Sequence, residues 1–133
     1  MYDKDLALEI LRQLQQAGKT ILKRFEPVKS AKDFTDSFQG MEKLDSICML
    51  LVATGESLKN LDKVTAFTLL PQYPQIDWQK AKGMRDFISH HYFEIDAEVV
   101  FFTCEHHITP LVKTIELMIS DLREGRVKNN TES

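Results

Sequence analysis

Residues 3–27 read DKDLALEILRQLQQAGKTILKRFEP, and the spacing of their apolar residues indicates the fold class. Steps of three and four place the following residues on one face of a helix: Leu6, Ile10, Leu14, Ala17, Ile21 and Phe25. Asp3 or Asp5 can accept hydrogen bonds from the free N–H groups at its start, and Pro27 ends it. Because a single apolar stripe needs facing stripes to cover it, this stretch predicts a helical bundle.

A second long helix is predicted after a polar connector at residues 30–37. Its apolar positions are Phe38, Met41, Leu44, Ile47, Cys48, Leu51, Val52 and Leu58. The apolar face is widest at 48–53, where we expect the deepest burial. Residues 64–70 then predict a brief helix, followed by a turn at Pro71.

Three further helix starts lie in the second half of the chain. We predict that Asp77 caps a helix running through Ile88 and that Asp96 caps the next one. The Thr109-Pro110 pair opens the last helix, with Thr109 as its cap, and Gly125 ends it. No window alternates apolar and polar residues as a strand does. The predicted fold is all-α, an up-and-down helical bundle of four main helices with one or two short extra helices.

Length and composition limit the chain to one domain of ordinary globular type. It has 133 residues, 43% apolar and 28% charged, which excludes disordered and collagen-like classes. We predict a single helical domain over 1–125 and a flexible C-terminal tail over 126–133. With a net charge of −3, the chain as a whole lacks the excess of positive charge that is typical of nucleic-acid-binding proteins.

The cysteine content and the hydropathy pattern point to a cytoplasmic protein that does not enter a membrane. Cys48 and Cys104 lack metal-site spacing, and we expect both to be small buried residues in a reducing compartment. The charged N-terminus has no apolar segment of the kind found in signal peptides, and no run approaches 18 apolar residues.

The segment most suggestive of chemistry is GMRDFISHHYFEID, residues 83–96. Within it, Arg85, His90 and Tyr92 form an Arg-x4-His-x-Tyr pattern. Taken singly, these residues have ordinary interpretations: Arg85 pairs with a carboxylate such as Asp86 or Glu94, His90 is a histidine at a helix end, and Tyr92 is a core or interface aromatic.

This pattern closely resembles the motif of HepT-like toxins, the minimal members of the HEPN ribonuclease group. The resemblance extends through residues 93–96 and, more loosely, back to Gly55-Glu56, and the predicted helix order also matches. It implies an endoribonuclease toxin that acts as a homodimer without metal, paired with a cognate minimal nucleotidyltransferase as antitoxin. It further implies that this transferase silences the toxin by moving AMP onto Tyr92.

Under that resemblance, Arg85 and His90 are the expected catalytic residues. Imidazole titrates near neutrality and can act as base or acid on an RNA 2′-hydroxyl, while guanidinium stays charged and matches phosphate oxygens. Asp86 is an expected supporting residue that orients Arg85, and His91 is either a second supporting residue or a solvent-facing neighbour. We expect no metal and no cofactor, because HExxH and repeated Glu-x-x-His spacings are missing from the sequence.

The geometry of an unbroken helix leaves two arrangements open. Five residues of ideal helix separate Arg85 and His90 by about 140°, so either the helix ends near His90 or the site combines two copies of the chain. Local cations at Lys59, Lys63, Lys80, Lys82 and Arg85 would offset the acidic net charge. The alternative function is a non-catalytic helical dimer that binds, or is regulated by, a nucleotidyltransferase.

Overall fold

The computed structural model describes residues 2–91 and 94–128, apart from the side chains of residues 89–91 and 94. Its elements in chain order are α1 (Lys4–Phe25), α2 (Lys32–Thr35), α3 (Phe38–Val64), a 3₁₀ turn (Leu70–Gln72), α4 (Trp78–Lys82), α5 (Met84–Ile88), β1 (Ser89–His91), β2 (Glu94–Ile95), α6 (Ala97–His106) and α7 (Ile108–Arg123). Four of the helices are long, and the all-α prediction is confirmed.

The core runs along α1, which packs against both α3 and α7. Near the N-terminus of α1, Leu11 meets Leu58 of α3 and Ile115 of α7 in one apolar cluster. Near its C-terminus, Ile21 belongs to a second cluster that also holds Ile88 of α5. The second cluster therefore fixes α5, which carries the first residue of the motif.

The predicted boundaries of α1 are confirmed. The Asp3 side chain accepts a hydrogen bond of 3.0 Å from the N–H of Leu6, and the helix ends at Phe25, two residues before Pro27. Ile10, Leu14 and Ile21 are buried as expected, whereas Leu6 at the first turn is exposed. The apolar stripe therefore covers the core from its second turn onward.

In α3, the predicted helix is confirmed but part of its predicted buried face is wrong. Ser37 caps the helix by accepting from the N–H of Gly40 at 3.0 Å. Cys48 and Leu51 are buried. Phe38, Met41 and Met49 are exposed, Met49 to 67%, because they lie on the side of α3 away from α1. These three side chains form an uncovered apolar stripe, which we call the α3 stripe.

The polar connector and the brief helix at 64–70 are both corrected by the structure. The connector contains α2, whose Phe34 is fully buried and supplies the reason for a helix there. At 64–70, α3 instead continues to Val64, and the chain then reverses through Ala66 and Phe67 in the left-handed region, with φ of 53° and 61°.

The helix predicted from Asp77 to Ile88 is split into two short helices. Asp77 does cap α4, accepting from the N–H of Lys80 at 3.1 Å, but Gly83 leaves the helical conformation and α5 begins at Met84. Residues 89–91 and 94–95 then pair as two short antiparallel strands that the apolar pattern did not predict. The two strands are too short to show an alternation of apolar and polar residues.

The start of the last helix is also corrected, whereas its end is confirmed. α7 begins at Ile108, directly after His107 ends α6, and Thr109 makes no capping hydrogen bond. Gly125 has a φ of 74°, the left-handed conformation that ends many helices. Beyond it, the Lys128 N–H and carbonyl bond the Gln72 side chain at 2.9 and 2.7 Å. The domain boundary at 125 stays a prediction.

Candidate functional site

The short helix α5 places Arg85 on the surface while its other side anchors in the core. Met84 and Ile88 are buried against α3 and α6, with Ile88 1% exposed. Arg85, Asp86 and Phe87 point outward between these two anchors. No ion pair joins Arg85 to Asp86, two described side chains that the sequence offered as partners. The guanidinium is thus carried on a fixed helix and faces solvent.

The helix ends immediately after Ile88, so the backbone of His90 is extended rather than helical. Ser89 pairs with Ile95 and His91 with Glu94 in the two strands. At their base, the N–H of Asp96 donates to the carbonyl of Ile88 at 3.0 Å. Of the two arrangements left open by the sequence, the helix end near His90 is therefore present, and a site combining two copies is compatible with it.

The structure describes side chains for some motif residues and only the backbone for others. Arg85 and Asp86 are seen with their side chains on α5. For His90 and His91, the backbone is seen in β1. Tyr92, the predicted AMP acceptor, lies outside the described residues. Their roles stay predictions.

Helix α4 is fixed against α3 by a close backbone approach and an ion pair. A Cβ at Gly55 would lie 3.1 Å from the carbonyl oxygen of Lys82, a tight contact, so the glycine favours the close approach of α4 to α3. Lys82 Nζ lies 2.6 Å from Oδ2 of Asp62, which is buried. Because α5 follows α4 directly, these contacts also position Arg85.

The predicted local excess of positive charge is smaller than the sequence indicated. The Lys82 charge is neutralised by Asp62, and Lys59 lies 3.5 Å from Glu56 one turn earlier on α3. Lys63, Lys80 and Arg85 are exposed. The surface near the motif therefore carries a few cations rather than a basic patch.

A concave site that the sequence analysis missed lies on the other flank of α5. This groove, which we call the α5–α6 groove, has a volume of about 470 Å³ and is walled by α4, α5, α6 and the start of α7. The aromatic residues lining it are Phe87 and Phe102, and its polar residues include Asp77, Lys80, Thr103 and His107. The sequence carried no signal for it, because exposed phenylalanines such as Phe87 and Phe102 have the same hydropathy as buried ones.

Comparison with known proteins identifies the family. The family model described as "Ribonuclease HepT-like" matches residues 7–118, which span α1 to most of α7 and include the whole motif segment. The chain belongs to the HepT-like ribonuclease family. The resemblance inferred from Arg85, His90 and Tyr92 is therefore confirmed at the level of the family.

Three proteins of Methanocaldococcus jannaschii are similar to this HepT-like chain. The one named "Putative RNase MJ0127" is 31% identical over 111 residues, covering 79% of this chain and 88% of that protein. Those named "Putative RNase MJ0125" and "Putative RNase MJ1216" are 32% and 31% identical, covering 59% and 64% of this chain and 65% and 66% of their own lengths. No solved structure gives a significant match.

The remaining candidates in this HepT-like chain lie away from the motif. Cys48 and Cys104 are unbonded and buried, as predicted, and burial raises the pKa of each thiol to about 12. His106 and His107 are exposed at the end of α6, and the centroid of the Phe102 ring lies 4.6 and 5.5 Å from the centroids of their rings. None of the helices described is long and apolar enough to cross a membrane.

Proposed function

We propose that this chain is a metal-independent endoribonuclease toxin of a HEPN/nucleotidyltransferase toxin–antitoxin pair, acting in the cytoplasm. The observation that carries the proposal is the family match over residues 7–118, within which Arg85 is exposed on a helix that ends just before His90. The names of the three relatives agree with a ribonuclease.

In this proposal, the cleavage needs no group outside the protein. The RNA 2′-oxygen attacks the adjacent phosphorus, giving up its proton to a His90 imidazole as the bond to the 5′-oxygen breaks. The departing 5′-oxygen takes a proton from a second imidazole, and the product carries a 2′,3′-cyclic phosphate. Arg85 holds the phosphate oxygens, where negative charge grows, with its planar fork of donors. Asp86 and His91 are proposed as supporting residues.

The need for two imidazoles supports a homodimer whose two motifs share one cleft. The α3 stripe is a surface suited to such a contact, because Phe38 is 74% exposed and Met41 and Met49 are also exposed on one helix. Helix α5, which carries Arg85, also packs against α3. We propose that a twofold contact along the stripe places the two copies of Arg85 in one cleft. Light scattering of the full chain, which should give a dimer mass, tests this step.

We propose that a co-encoded minimal nucleotidyltransferase silences the toxin by transferring AMP to Tyr92. The tyrosine oxygen would attack the α-phosphorus of ATP, forming a phosphodiester and releasing pyrophosphate. That phosphodiester adds negative charge and bulk two residues from His90, where the phosphate of an RNA would have to bind.

Expression of the full chain in cells, scored for growth, tests the proposed function as a whole. We expect growth arrest when the chain is expressed alone and recovery when the co-encoded transferase is added. A chain that never arrests growth, and whose purified form leaves RNA intact, would instead be the non-catalytic helical dimer. Arg123→Ala, at an exposed position on α7, provides a variant that should still arrest growth.

A further inference from the structure

We propose that the α5–α6 groove binds a nucleobase of the RNA substrate and so contributes to the choice of cleavage site. This inference rests on the proposed ribonuclease function and adds a subsite to it. The groove is concave and about 470 Å³ in volume, and its walls are mostly helices, with residues 75–77 before α4 completing one side. That volume lies within the usual range for sites that enclose small organic groups.

Two aromatic side chains that line the groove are about half exposed. Phe102 is 55% exposed and Phe87 is 48% exposed, and both line the groove. The centroid of the Phe102 ring lies 4.6 Å from that of His106 and 5.5 Å from that of His107. A nucleobase is flat and apolar on its faces, and stacking on such rings is the usual way in which proteins hold an unpaired base.

Polar side chains lie on opposite walls of the groove. They match the edge of a nucleobase better than they match the apolar face of a helix from a second protein. Asp77 and Lys80 lie on the α4 wall, and Thr103 and His107 lie on the α6 wall. Base edges carry both donors and acceptors, which these side chains can match. An apolar segment of a second protein would cover the same groups without bonding them, at a cost in desolvation.

The position of the groove relative to Arg85 fits a base close to the cut. Phe87 and Arg85 lie on the same five-residue helix, on opposite sides of the buried Met84 and Ile88. A helix with its side chains is about 10 Å across. The groove and Arg85 are therefore about one helix width apart, so one RNA segment can contact both.

Direct binding of the four nucleoside 5′-monophosphates to the full chain, followed by NMR titration, tests the subsite without requiring cleavage. We expect at least one of them to bind at the groove, and Phe102→Ala to weaken that binding about tenfold, in line with the loss of one stacking face. Leu117→Ala, which truncates an exposed apolar residue of α7 outside the groove, should leave the affinity unchanged. Equal binding by wild type and Phe102→Ala would overturn the proposal.

Cleavage kinetics and oligomeric state separate this proposal from its alternatives. For a cleaved RNA, Phe102→Ala should raise KM about tenfold with kcat retained, and the preference for particular bases near the cut should weaken. An unchanged KM and unchanged cut sites would overturn the subsite. So would a change of oligomeric mass in Phe102→Ala, because the groove would then hold another copy of the chain. Nucleotide binding by a chain that cleaves no RNA would support the subsite and refute the ribonuclease function.

Discussion

The N–H of Asp96 donates a hydrogen bond of 3.0 Å to the carbonyl of Ile88 and closes the segment that carries most of the motif. Ile88 is held by the core, and the Asp96 side chain caps α6 by accepting from the N–H groups of Glu98 and Val99 at 3.1 and 3.2 Å. Both ends of residues 89–95 are therefore fixed. The segment is presented from a rigid base.

Replacing the capping residue should destabilise the protein measurably. Asp96→Ala removes the acceptor for two free N–H groups of α6, and we expect the free energy of unfolding to fall by about 1 kcal/mol in urea titrations. Glu98→Ala, a neighbouring exposed acidic residue that caps nothing, should change it by less than about 0.5 kcal/mol. Equal losses for the two variants would show that the cap contributes nothing.

The ion pair between Lys82 and Asp62 should matter far more than the one between Lys59 and Glu56. Lys82→Met leaves the buried Asp62 carboxylate without its partner, and we expect a loss of about 2 kcal/mol in the free energy of unfolding. Lys59→Met breaks an exposed pair and should cost less than about 0.5 kcal/mol. Adding Asp62→Asn to Lys82→Met should recover part of the loss. An unchanged free energy of unfolding in Lys82→Met would show that this ion pair does not stabilise the fold.

The buried thiols should make stability fall at high pH. Burial raises the pKa of Cys48 and Cys104 from 9.0 to about 12. Between these values the folded thiols keep their protons while the unfolded ones lose them, so their contribution is complete below pH 9 and is lost as the pH rises towards 12. Urea titrations at pH 8 and pH 10.5 should show a steeper decline for wild type than for Cys48→Ala/Cys104→Ala. An equal decline in the free energy of unfolding for the two proteins would show that the thiols are not buried.

The sequence was sufficient for the helices whose ends are marked by local chemistry. Asp3, Ser37, Asp77 and Asp96 all cap helices, and only the Ser37 cap was not among the predictions. The motif could also be found in the sequence, because it depends only on residue identity and spacing. Its meaning came from the family resemblance, since an unbroken helix would have separated Arg85 from His90.

The features that the sequence did not predict depend on contacts between distant parts of the chain. Helix α4 ends at Gly83, next to the point where its backbone approaches that of α3 at Gly55. The helix predicted from Asp77 is therefore shortened by tertiary packing. The paired strands at 89–91 and 94–95 are too short to show an alternation of apolar and polar residues. The exposure of Met49 could not be read from hydropathy, because an apolar residue looks the same whether it faces the core or an uncovered surface.

Tyr92 should be the residue that receives AMP. After incubation with the co-encoded transferase and ATP, intact-mass analysis should show wild type heavier by one AMP and Tyr92→Phe unchanged. Tyr2→Phe is the matched control and should gain the same mass as wild type. A mass gain that persists in Tyr92→Phe would place the acceptor elsewhere, and no gain in wild type would contradict silencing by AMP transfer.

The rate at which purified protein cuts RNA in EDTA tests the catalytic roles of Arg85 and His90. We predict that Arg85→Ala and His90→Ala each reduce kcat/KM at least a hundredfold, the scale expected for a general acid–base group or a charge-stabilising donor. Arg123→Ala, which removes an exposed arginine of α7 outside both the motif and the groove, should cut RNA like wild type. Undiminished cleavage by both Arg85→Ala and His90→Ala would contradict the account.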